Sequence, residues 1–187
     1  LDVPNRKVNI TLEVTEGPEV FVERINITGN TRSQEKILRR EIPMAEGDLF
    51  TSQKLLRAKQ KLTNLSYFEK VETKTAPGSS KDKIIVNIEV TEKPTGLFSI
   101  GGGYSSQDGA LGTVDLSQNN FLGRGLQVSI RLRGGASTQS GTIGITDPWF
   151  LHRPLPAGSD LFSNGRANQH YTQSSTGGDV RFGAPIG

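Results

Sequence analysis

The sequence predicts two units of different class. A compact α+β unit of order β-α-α-β-β comes first, and an antiparallel all-β segment, part of a transmembrane β-barrel, follows it. Three observations carry this prediction. Helical spacing of apolar residues occurs only before residue 94, and period-two alternation dominates after it. In the later alternating segments one face is aliphatic and the other polar or charged. No run approaches the roughly 18 apolar residues of a membrane helix, so any span must be built from strands.

The alternation is cleanest at residues 126–133. Leu126, Val128, Ile130 and Leu132 share one face, while Gln127, Ser129, Arg131 and Arg133 share the other. In a barrel the first face meets lipid and the second lines a wet lumen. Phe98, Ile100 and Tyr104 repeat the pattern, as do Val114, Leu116 and Leu122, then Ile143 and Ile145, then Val180, Phe182 and Ile186. Gly, Asn, Asp and Ser separate these segments, as in outer-membrane strands. A soluble antiparallel sandwich with one face on a second sheet is the competing reading.

Composition narrows the function classes. Hydrophobic residues make up 33% of the 187, with 22 glycines, which suits a β-rich chain with tight turns. A net charge of +3 with mixed signs gives no nucleic-acid footprint. Cysteine is absent, which excludes thiolate chemistry. His152 and His170 stand far apart without metal-ligand spacing. Gly101-Gly102-Gly103 lacks the Lys-Ser/Thr of a phosphate loop, and no serine lies in a nucleophile-elbow sequence. An enzyme is not expected, and no metal or cofactor is implied.

In chain order, residues 8–14 read as one strand ended by Glu16-Gly17-Pro18. The chain begins mid-pattern, so residues 1–17 are expected to be the C-terminal strand of a preceding domain. The α+β unit occupies residues 18–93. Residues 21–27 form its first strand, and Ser33 is a cap candidate for a helix over 34–41. Thr51 caps a second helix, with Phe50 and Leu55 placed as a hydrophobic staple. Residues 68–75 and 83–91 are the closing strands. Residues 92–96 read as a hinge, and residues 94–187 as the barrel part. Within it, 119–125 is a hairpin turn, 147–151 ends a strand, and polar residues 164–178 read as a long loop.

A β-α-α-β-β unit feeding membrane strands resembles a POTRA domain joined to its barrel. Ile25-Asn26-Ile27-Thr28-Gly29-Asn30, Leu38-Arg39-Arg40-Glu41, Leu65-Ser66-Tyr67-Phe68, Asn120-Phe121-Leu122-Gly123-Arg124-Gly125 and Thr146-Asp147-Pro148-Trp149-Phe150 strengthen the likeness. Together they resemble the BamA family of outer-membrane β-barrel assembly factors. The resemblance implies the last POTRA domain plus the first barrel strands, with the POTRA part in the periplasm and the barrel in the outer membrane. It also implies unfolded outer-membrane proteins, assembly-machinery lipoproteins and outer-membrane lipid as partners. Roughly six strand candidates are present, fewer than the about eight of the smallest membrane barrel, so the chain is expected either to self-associate through strand edges or to be part of a longer one.

Four sets of residues are site candidates. Phe68, Glu69, Lys70, Val71, Glu72, Thr73 and Lys74 form an expected exposed edge where client strands could add; their charges also suit a guarded edge. Phe98, Ile100, Gly101, Gly102, Gly103 and Tyr104 belong to the first barrel strand, whose glycines weaken pairing and suit a lateral gate, or else permit wall curvature. Arg39, Arg40 and Glu41 are the docking candidates for a lipoprotein partner, although cations also suit a helix C-terminus. Phe121, Trp149 and Phe150 are expected at the membrane interface. Two functional alternatives stay open: a two-partner secretion transporter for one dedicated client, and a soluble periplasmic peptide-binding module.

Overall fold

A computed structural model describes residues 18–106, 109–167 and 170–183. The strand expected within residues 1–17 and the position of Ile186 lie outside the described residues. The first unit contains β1 (Phe21–Thr28), α1 (Glu35–Arg39), α2 (Ser52–Asn64), β2 (Phe68–Pro77) and β3 (Lys83–Glu92). Its sheet has the order β1-β3-β2, with β1 parallel and β2 antiparallel to β3. The two helices cover one face. Leu62, Ala58, Ile37 and Leu38 from the helices meet Val22, Ile25, Val71, Val86, Ile88 and Val90 from the strands. Removal of this apolar surface from water is the main stabilising term of the unit.

Local chemistry explains most of the boundaries. Thr51 Oγ1 accepts the Lys54 backbone N–H at 3.2 Å, the capping bond expected at the start of α2. Phe50 and Leu55 both pack on the core, as a staple requires. α1 differs from expectation. It spans only Glu35–Arg39, its N-cap is Gln34, and no side chain caps it. Ser33 is buried and its hydroxyl is engaged elsewhere, as described below.

The second unit is one six-stranded antiparallel sheet in sequential order. Its strands are β4 (Gly96–Ser105), β5 (Gly109–Phe121), β6 (Leu126–Gly135), β7 (Thr138–Asp147), β8 (Ala157–Ala167) and β9 (Thr172–Phe182). Pairing aligns their apolar positions in rows: Ile100 faces Val114, Val114 faces Leu132, and Leu116 faces Ile130, which faces Ile143. Ile143 continues the row to Leu161. The result is an aliphatic band with no second sheet against it. Ile100 is 71% exposed and Ile143 55%. Such a band is stable in hydrocarbon and not in water, so the sandwich reading is set aside.

The opposite face is polar and internally balanced. Arg131 Nε lies 2.6 Å from Asp115 Oδ1 on the adjacent strand, and Arg181 Nη1 lies 2.5 Å from Asp160 Oδ2. Residues 164–178, read from sequence as a loop, instead belong largely to the β8–β9 hairpin. The apolar beat that marks the other strands does not run the length of this hairpin. Past Leu161 the outward positions are polar or small: Ser163 faces Thr176 and Gly165 faces Ser174, so the pattern is lost while pairing continues.

Among the described residues the sheet does not close: β4 pairs only with β5, and β9 only with β8. Two edges in an apolar medium leave unpaired backbone groups, which favours pairing between copies. The isolated 187-residue chain should therefore elute from detergent chromatography as an oligomer. A stable monomer would contradict this.

Candidate functional site: two strand edges and the joint between them

Among the described residues, the first unit has one strand edge open to a further strand, and the second unit's sheet ends in β4 and β9. In the first unit both β1 and β2 are edges by sheet order, and among the described residues β2 alone is uncovered. The β1 edge is covered by the segment before α2. Val22 N–H donates to Asp48 O at 2.9 Å, Gly47 N–H donates to Val22 O at 2.7 Å, and Phe50 N–H donates to Val20 O at 2.8 Å. Further along, Ile25 N–H donates to Glu46 Oε1 at 3.3 Å, and Arg39 Nη2 donates to Ile25 O at 3.1 Å. These bonds imitate a neighbouring strand and occupy the edge.

β2 has no such cover among the described residues. Val71 is buried beneath the helices, and Lys70, Glu72 and Lys74 point the other way. Glu72 is flanked by ion pairs to Lys70 and to Lys74, the latter at 3.2 Å. Phe68 is a core residue, in edge-to-face contact with Tyr67, so its side chain is unavailable for pairing. The bulge between Phe68 and Lys70, together with Pro77 at the far end, limits a regular ladder to the middle of the strand.

In the second unit β4, at one end of the described sheet, follows β3 of the first unit after residues 93–95. Phe98, Ile100 and Tyr104 share the apolar face, and Tyr104 is 84% exposed. The three glycines differ in what they permit. A Cβ on Gly101 would sit 2.9 Å from Thr113 Oγ1, which is tight. On Gly102 it would lie 3.6 Å from Leu111 O, an ordinary contact, and on Gly103 it would meet nothing. Close approach accounts for Gly101 alone. At Gly102 and Gly103 a side chain would fit, so their glycines lower strand propensity without a steric need.

The two units are joined by a buried polar contact absent from the sequence reading. The tight turn 122–125 between β5 and β6 sits on the start of α1. Asn120 Nδ2 donates to Ser33 Oγ at 2.7 Å, Asn120 Oδ1 accepts Gly125 N–H at 2.8 Å, and Gln34 N–H donates to Gly123 O at 2.9 Å. Asn120 has φ 58 and Gly123 φ 68, both left-handed. A Cβ on Gly123 would overlap the Arg32 carbonyl oxygen, so this position admits only glycine. A Cβ on Gly125 would stand 2.7 Å from Arg40 Nη2.

Arg40 extends the joint. Its guanidinium carbon lies 5.0 Å from the centre of the Trp149 ring, a cation–π contact, and burial draws its pKa down against the opposing influence of Glu41, Tyr67 and Asp147. Glu41 is itself buried. Arg39 bonds Glu35, Glu46 and the β1 edge. The triplet Arg39, Arg40 and Glu41, a docking candidate in sequence, is thus engaged within the chain, and only Arg39 keeps substantial exposure. Trp149, through its contact with Arg40, faces the first unit. Phe150 contacts Phe182 at 6.0 Å, and Phe121 is exposed at the end of β5.

The segment after β3, expected as a hinge, is strapped. Glu92 accepts Thr31 Oγ1 at 2.9 Å, Arg32 N–H at 2.8 Å and Ser33 N–H at 2.7 Å. Thr95 O accepts Asn119 N–H at 3.1 Å. Partial burial pushes the Glu92 carboxyl up, but its Ser33, Arg32 and Thr31 donors outweigh this and hold it below its ordinary value of 4.5. A lowered carboxylate pKa gives stability that is full above 4.5 and lost as pH falls through the lowered value. The Arg32 and Ser33 amide resonances should therefore titrate together below pH 4.5, and Glu92→Gln should abolish that titration. A midpoint at or above the ordinary value would contradict the strap.

Comparison with known proteins agrees with this architecture. Residues 20–93 match the POTRA family, described as surface antigen variable number repeat, and residues 120–187 match the Omp85 superfamily domain. The outer membrane protein assembly factor BamA of Neisseria meningitidis serogroup B is 26% identical over 97% of this chain and 24% of its own length. A putative outer membrane protein assembly factor of Treponema pallidum is 30% identical over 86% of this chain and 20% of its own. The chain thus spans about a quarter of the length of the curated relatives it matches. The crystal structure of Haemophilus ducreyi BamA lacking POTRA domains 1–3 shares the fold, with a TM-score of 0.82 at 24% identity over 91% of this chain and 34% of that one. The chain belongs to the BamA family within the Omp85 superfamily, with a POTRA unit on the periplasmic side and barrel strands in the outer membrane.

Proposed function

We propose that the protein carrying this chain assembles and inserts outer-membrane β-barrel proteins, without bond chemistry, by offering strand edges as templates. The observation that carries the reading is the β4 strand, which bears two glycines with no steric requirement for glycine and is therefore weakly held in any pairing. A client strand entering lipid needs its backbone groups paired, and a weakly held edge can supply partners and then release them. The β2 edge over residues 70–75 serves the same clients earlier, by β-augmentation in the periplasm. Its alternating Lys and Glu keep it from pairing permanently. Lipoprotein partners of the machinery would reach the exposed face of Arg39, because Arg40 and Glu41 are covered.

The relatives above are named assembly factors, which favours this reading over a transporter for one dedicated client. The soluble peptide-binding alternative does not fit the lipid-facing band. Depletion of the complete gene product should lower many unrelated outer-membrane barrels at once. Loss of one exported protein in otherwise healthy cells would sink the assembly reading. A photo-crosslinker at Ile100 should capture client strands, whereas one at Ile130, inside the sheet, should not. Gly103→Thr should fold normally yet slow client insertion several-fold, since a β-branched residue strengthens β4. Unchanged insertion kinetics would remove the glycines from the mechanism.

A further inference from the structure

Beside the joint lies a cavity that neither strand edge uses. It has a volume of about 330 Å³ and opens between α1 and the turns at the periplasmic end of the sheet. Lys36, Arg40, Arg124 and His152 line it against a single acid, Asp147. Asp147 Oδ1 already accepts the Trp149 N–H at 2.9 Å. Lys36 and Arg124 are exposed and join no ion pair among the described residues. The side chain of Arg40 is 18% exposed, and its Nε, 3.7 Å from Glu41 Oε1, has no hydrogen-bond partner. The cavity therefore presents an excess of positive charge and unused donors.

Its apolar wall indicates the source of the anion. Leu126 lines the cavity and is also the first residue of the lipid-facing row that continues through Val128, Ile130 and Leu132. Leu151, 74% exposed, forms the opposite lip. Cations placed where an aliphatic stripe begins match a lipid whose phosphate sits at the interface and whose chains run along the wall. A free phosphate would use the same cations but gain nothing from the stripe.

We propose that this cavity binds the phosphate of an anionic glycerophospholipid of the periplasmic leaflet, with its acyl chains along the Leu126–Leu132 row. The lipid would brace the junction between the two units from outside. This site stands or falls separately from the assembly reading, because it is read by lipid retention alone.

Native mass spectrometry of the complete gene product in uncharged detergent, titrated with phosphatidylglycerol or phosphatidylcholine, tests it. The unmodified protein should retain one phosphatidylglycerol in preference to phosphatidylcholine. The double variant K36Q/R124Q should lose that retention by about tenfold, since each interfacial cation contributes appreciably to anionic-lipid binding. K36Q alone, at an exposed position outside the membrane, should show a smaller loss, while R133Q on the polar face should show none. Equal retention by unmodified protein and both Lys36 variants would overturn the proposal. So would displacement of phosphatidylglycerol by inorganic phosphate at matched concentration, which would mark a free-phosphate site.

Discussion

Asn120 is the contact on which the arrangement of the two units depends. One side chain closes its own turn by accepting Gly125 N–H and reaches the other unit by donating to Ser33 Oγ. Both partners are buried with it or beside it, so each lost bond would leave an unsatisfied polar group, at a cost of about 1–3 kcal/mol. A hydrophobic joint would slide, because apolar contacts are non-directional. A buried amide with two defined partners fixes register. Gln34, Gly123, Glu92 and the Arg40–Trp149 contact then add bonds around that fixed point.

A fixed joint has a mechanical meaning for the two open edges. β3 runs through Glu92 into β4 with only residues 93–95 between them, and Glu92 is held by three donors. The periplasmic edge β2 and the membrane edge β4 therefore keep a set relation instead of swinging on a linker. Closure of the β1 edge by residues 46–50 and Arg39 leaves β2 as the free edge of its unit. Lipid imposes the corresponding constraint on the wall, since every spanning backbone group needs a partner.

The fold class was legible because its signals are local. Thr51 with Phe50 and Leu55 announced α2, and the Leu126–Leu132 alternation announced the wall. The β8–β9 hairpin was not legible, because its outward residues past Leu161, Ser163 facing Thr176 and Gly165 facing Ser174, are polar or small and carry no apolar alternation. The strand edges were partly legible. Lys70, Glu72 and Lys74 marked β2, but Phe68 belongs to the core, and no local pattern shows that Glu46 and Arg39 close β1. The joint was invisible for a different reason: Asn120 and Ser33 are 87 residues apart. Gly123 and Gly125 read correctly as turn residues, whereas Asn120, expected in the turn, lies at the end of β5 with a left-handed φ, and Ser33, expected as a cap, bonds Asn120 instead. Only the folded chain shows that turn and helix start meet.

The most direct test of a fixed joint is a distance distribution across it. Spin labels at Lys59 on α2 and at Ala136 in the far turn between β6 and β7 would report it by electron–electron resonance, in the complete gene product held in lipid nanodiscs. A single narrow distance is the predicted result. A broad or multi-peaked distribution would mean that the POTRA unit swings freely, and the account of the joint would be wrong.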